Sequence, residues 1–132
     1  MLSTEQIETA VNWWADAIKR PKFDNGDNSD AGGMAMMLAT LAHKAPSAEQ
    51  IETFKKALAD EMASNERIEK FGLNSDYGPD GNLAEAMQQA GINPDISSVP
   101  WKTNMHFSDG EVTVSCGYGA DYVKLYPVAV GD

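Results

Sequence analysis

The chain has 132 residues, 20 acidic and 10 basic side chains, and a formal net charge of −10. That length predicts one domain, spanning 1–132, on one hydrophobic core. The charge argues against nucleic acid or an anionic membrane as a direct ligand, because both are bound through clustered Lys and Arg. An apolar fraction of 42% is ordinary for a folded domain, so the acidity does not signal disorder. The single cysteine, Cys116, rules out an intrachain disulfide and a multi-cysteine metal cage. No apolar run approaches about 18 residues, and the opening MLSTEQIETAVNWW lacks the basic and apolar segments of a secretory signal. A cytoplasmic setting is the expectation.

The helical part is expected over 1–91. Ser3 and Gln6 form a capping-box pattern, and Ile7, Val11, Trp14 and Ile18 then share one helical face. Pro21 ends this helix by Arg20. Trp13 lies off the stripe, either packed on a second neighbour or exposed as an anchor. After the loop PKFDNGDNSD, with N-cap candidates Asn28, Ser29 and Asp30, comes AGGMAMMLATLAHK. Met34, Met37, Leu38 and Leu41 share a face, yet almost no polar side remains. A helix apolar nearly all round is a buried one, so 31–43 is expected to be the central helix. Ser47 and Gln50 open a third helix with the stripe Ile51, Phe54, Leu58 and Met62. STEQIET at 3–9 returns as SAEQIET at 47–53, but the following residues do not match, and no repeat is inferred. A polar stretch at 64–82 leaves room for a helical turn through Phe71 or a short strand at Leu73. Asn82 and Glu85 signal a short helix ending at Gly91.

From Trp101 the hydrophobic period becomes two, and the sheet is expected over 101–127. Asp109-Gly110 is a hairpin turn signal. A two-residue turn there pairs Ser108 with Glu111, Phe107 with Val112, Met105 with Val114 and Thr103 with Cys116. That register puts Met105, Phe107, Val112, Val114 and Cys116 on one face, and a one-residue slip would scramble it. A third strand at 122–126 has Val123 and Leu125 inward. The expected fold is α+β, with three to four N-terminal helices packed on a C-terminal three-stranded antiparallel β-meander.

Several chemistries can be weighed on these residues. Cys116 with His106 suggests a nucleophile and base, but the register separates them, and a thiol among apolar side chains is usually inert. His43 is the other histidine in reach. The Asp76 loop has Asp80 and Gly81 at calcium-loop positions 5 and 6, but Gly78 at position 3 and Met87 at position 12. Asp24, Asp27 and Asp30 also lack the pattern, so no metal is expected. No phosphate loop and no cofactor motif is present. With 20 acids, carboxylate pairs are inevitable, and no spacing singles one out.

The remaining feature is acidity on outward faces and loops. Glu5, Glu8 and Asp16 line one helix, Glu49, Glu52 and Asp60 another, and Asp24, Asp27, Asp30, Asp76 and Asp80 sit in two loops. One reading is a solvated surface. The other is a DNA-mimicking surface that fits the basic channel of a nucleic-acid-handling protein. Trp13 and Trp101 are candidate aromatic anchors, and Tyr122 and Tyr126 a secondary surface.

The segments VNWWADAIKRPKFDNGD, GGMAMMLATLA and PWKTNM…DGEVTVSCGYGADY resemble small accessory proteins of phages and prophages, among them anti-CRISPR inhibitors of bacterial defence. The resemblance implies a non-enzymatic protein that binds a bacterial defence protein such as a Cas effector, by blocking its DNA channel or holding an inactive state. It transfers no site residues. The partner-binding candidates remain Asp24, Asp27, Asp30, Asp76, Asp80, Glu5, Glu8, Asp16 and Trp13. The alternative is an interaction or assembly module without mimicry, dimeric through the Met-rich helix, and a third reading is a small enzyme using Cys116 or a carboxylate.

Overall fold

The computed structural model describes residues 1–23, 30–117 and 119–127. Helix α1 covers Thr4–Lys19, α2 Asp30–Ala42, α3 Ala48–Ser64, α4 Glu66–Phe71 and α5 Gly81–Gln89. The strands are β1 Leu73–Ser75, β2 Thr103–Ser108, β3 Glu111–Cys116 and β4 Val123–Tyr126. They form one antiparallel sheet in the order β1-β2-β3-β4. The architecture is α+β, with a fourth strand beyond the expected three. Leu73 pairs with Met105 and Ser75 with Thr103, which adds β1 as an edge beside β2.

Local sequence signals set most boundaries. Ser3 and Ser47 each accept from the amide three residues on, at 3.1 Å, and Gln6 and Gln50 each accept from the cap amide at 2.9 Å. Both boxes then do something their sequence does not announce. The Gln6 side-chain amide donates to the Glu111 carbonyl (3.1 Å), and that of Gln50 to the Gly91 carbonyl (3.0 Å). Each capping glutamine thereby ties a helix start to a remote turn. α5 is capped by Asp80 rather than Asn82: its carboxylate accepts from the Leu83 amide (2.9 Å) and the Asn74 amide (2.8 Å).

The hairpin takes the expected register throughout, from Ser108↔Glu111 to Thr103↔Cys116. Met105, Phe107, Val112 and Val114 point inward, against Val11, Trp14 and Ile18 of α1 and Phe54, Leu58 and Met62 of α3 in one core. The alternation fails at the end of β3. Ser115 is buried, with its hydroxyl on the Ala120 carbonyl (2.8 Å), while Cys116 is exposed. Cys116 is therefore not a core residue: it ends β3 just before the turn at Gly117. Val123 is also exposed rather than inward although it pairs with the buried Val114, and a register irregularity between Val112 and Thr113 leaves both Leu125 and Tyr126 against the core.

The largest correction concerns α2. The helix forms where expected but is not central and not buried. Met34, Met37, Leu38 and Leu41 are 59%, 54%, 58% and 76% exposed. Its inward stripe is Gly32, Met36, Ala39 and His43, spaced 4, 3, 4. That stripe rests on a small satellite core of Phe23 and Trp101, whose rings are 5.2 Å apart. α1, α3 and α5 carry the amphipathic stripes of the main core, and among the described residues α2 packs only its Met36 and Ala39 side, on the satellite core.

Candidate functional site

α2 is held at its end by a histidine. The His43 Nδ1 lies 2.8 Å from the Ser97 carbonyl and Nε2 3.1 Å from the Lys19 carbonyl. The ring thus lies between the end of α1 and the 93–98 loop. That loop is itself fixed by Asp95, whose carboxylate accepts from the Ser97 amide (2.9 Å), the Ser97 and Ser98 hydroxyls (both 2.8 Å) and the Asn93 side chain (3.0 Å). Burial pushes the Asp95 carboxyl up, but these bonds overcome it and hold the group below the usual carboxylate range.

This scaffold presents an apolar surface. Met34, Met37, Leu38 and Leu41 recur at i, i+3, i+4 and i+7, one continuous helical face. Between α2 and the neighbouring loops runs a groove of about 690 Å³, lined by Leu38, Ala42, Pro79, Pro94 and Ile96, with Asp95 at its edge. Ile96 is also exposed, at 56%. Isolated exposed apolar residues need no explanation, but a contiguous patch marks an interaction surface. Apolar pattern alone places these side chains in the core, because it weighs their size and not the competition for cover. The opposite stripe, through Met36 and Ala39, is the one that meets Phe23 and Trp101.

The acidic candidates divide. Glu5, Glu8 and Asp16 are exposed along α1, and Asp16 is 3.9 Å from Lys19. Asp76 is exposed and ion-paired with Lys102, whose ammonium also lies 4.6 Å from the Tyr77 ring centroid. Asp80 is half-buried, with both carboxylate oxygens on backbone amides. Burial raises its pKa, and the bonds from Leu83, Asn74 and Asn82 oppose the rise. Asp76 and Asp80 line a shallow cleft that shares Gly78 and Pro79 with the α2 groove, so both border the apolar surface. Asp24 and Asp27 lie outside the described residues, and Asp30 is the first residue of α2. Trp13 is half-buried, edge-on to Trp14 at 5.0 Å, and Trp101 is buried, with its indole nitrogen donating to the Ile96 carbonyl (2.7 Å).

The nucleophilic arrangement is not assembled among the described residues. His106 Nε2 is 3.0 Å from the Tyr122 hydroxyl, and both His43 nitrogens face backbone carbonyls, so neither ring engages Cys116. Burial raises the Cys116 pKa, partly offset by Lys22. Also among the described residues, no three His, Cys, Asp or Glu side chains group as a metal site. Among the described residues, no helix is long and apolar enough to cross a membrane. Compared with known protein families, characterised proteins and solved structures, the chain matches none.

Proposed function

We propose that this chain is a non-enzymatic protein-binding module, and that its partner is a basic, nucleic-acid-handling protein such as a bacterial defence effector. The observation that carries the reading is the uncovered face of α2. Four large apolar side chains in helical register supply the desolvated centre that interfaces require. Asp95 lines the groove beside Leu38, and Asp76 and Asp80 line the adjoining cleft. An apolar centre with an acidic rim fits a partner with an apolar patch inside a basic surface, approached under electrostatic steering. A second copy fits less well, because it brings its own net charge of −10 against the first.

The test immobilises the chain, exposes it to bacterial lysate and elutes with double-stranded oligonucleotide. The expected result is a nucleic-acid-binding protein that is released by the duplex and is not captured by the L38D/L41D variant. Capture unaffected by L38D/L41D, or a captured protein without affinity for nucleic acid, overturns the reading. Light scattering of the free chain gives the mass, and a stable dimer lost in L38D/L41D would assign the face to self-association instead.

A further inference from the structure

A second surface meets the α2 groove at Trp101. A cleft of about 560 Å³ opens between the end of α1 and the end of β3, within the usual size range for small-molecule sites of about 300–1,000 Å³. Its lining includes Trp13, Asp16, Arg20, Lys22, Pro100 and Cys116. In a chain with twice as many acids as bases, this cleft carries two cations to one carboxylate. Neither Arg20 nor Lys22 has an ion-pair partner among the described residues, while Asp16 lies beside Lys19. The backbone fixes where both side chains start. Arg20 is the C-cap of α1, its amide on the Asp16 carbonyl at 3.3 Å. Lys22 is pinned by its carbonyl, which accepts from the Trp101 amide at 2.9 Å and so brings it beside Pro100.

We propose that this cleft binds a small organic anion: a flat apolar body against Trp13 and Pro100, with one carboxylate, sulfonate or phosphate group held by Arg20 and Lys22. The guanidinium offers paired donors suited to such oxygens, and Lys22 adds a point charge. Flat apolar walls with a few convergent polar groups are the usual composition of a small-molecule site. The cleft's residues lie on α1, the 20–22 segment, Pro100 to Thr103 and the end of β3, and it shares Trp101 with the α2 groove.

Cys116 provides a local reporter. Its thiol is exposed and lines the cleft, so an occupant shields it. The probes are naphthalene-1-sulfonate and its neutral counterpart 1-naphthalenemethanol, read by the rate of Cys116 alkylation with iodoacetamide. Saturating naphthalene-1-sulfonate is expected to slow alkylation at least about fivefold, and the neutral compound less than twofold. R20Q and K22Q, singly and together, are expected to keep the wild-type urea transition, and protection is read in each variant as the ratio of rates without and with probe, because Lys22 itself lowers the Cys116 pKa. Each single variant is expected to weaken protection several-fold, and the double variant to abolish it. Absence of protection up to 10 mM, equal protection by the neutral compound, or protection unchanged in R20Q/K22Q overturns the proposal.

Discussion

Leu41 and Leu58 belong to helices of one chain, and the structure predicts opposite consequences for the same truncation. Leu41 is 76% exposed and Leu58 fully buried. Complete burial of a leucine side chain contributes roughly 1.5–3 kcal/mol, so the quarter of Leu41 that is covered contributes roughly 0.4–0.7 kcal/mol on that scale. Alanine is the better helix former by a few tenths of a kcal/mol, which offsets part of that loss. L41A is therefore expected to change stability by at most about 0.5 kcal/mol. L58A deletes a buried side chain and leaves a cavity among Trp14, Phe54 and Met62, at a cost of about 2–5 kcal/mol. With a urea m-value of about 2 kcal/mol/M, the midpoint should fall by about 1–2.5 M for L58A and by less than about 0.3 M for L41A. Urea titrations at two protein concentrations a hundredfold apart make the assay. A loss of 2 kcal/mol or more in L41A, or a wild-type midpoint that rises with concentration, would mean that the α2 face is covered in solution, and the reasoning from its exposure would fail.

Other outcomes follow from single contacts. Q6A should cost more than Q50A by about 1 kcal/mol in urea unfolding, because Gln6 is buried and bonds the Glu111 carbonyl whereas the bonds of Gln50 are exposed; equal costs would refute this. G72A should cost at least about 2 kcal/mol, since Gly72 has φ +80° and an added Cβ would meet the Met105 carbonyl oxygen; near-native stability would contradict the placement of β1 against β2. D95N should lower the melting temperature near neutral pH. The folded-state pKa of Asp95 is depressed, so its stabilisation is present above the unfolded value of about 3.9 and is lost as pH falls through the folded value. The deficit should shrink as the pH is lowered below about 4, and a deficit constant down to about pH 2 would refute the assignment. Alkylation of native Cys116 should proceed, and accelerate with pH through the raised thiol pKa; complete protection would return the residue to the core.

Much of the architecture was written locally. Two serines and two glutamines start α1 and α3, Pro21 ends α1, and Asp109-Gly110 fixes the hairpin register residue by residue. These signals act within a few residues, where capping and turn geometry decide the outcome. The amphipathic stripes likewise named Trp14, Ile18, Phe54, Leu58 and Met62 as core. The candidate site was less legible. Whether an apolar side chain is buried depends on what else competes for the same cover, and that is a property of the whole chain. α1, α3 and α5 occupy the sheet's inner face, so α2 is left on Phe23 and Trp101 with its larger residues outward. An irregularity in β4 puts both Leu125 and Tyr126 against the core, and the exposed Cys116 lies just before the turn at Gly117, neither visible in a strict two-residue period. The sequence by itself determined where the chain turns, caps and alternates, because those choices are made over four to eight residues. Only the tertiary structure decided that the most apolar helix faces outward and that Arg20 and Lys22 meet Trp13 and Pro100 across one cleft, because burial and juxtaposition are settled by the packing of distant segments.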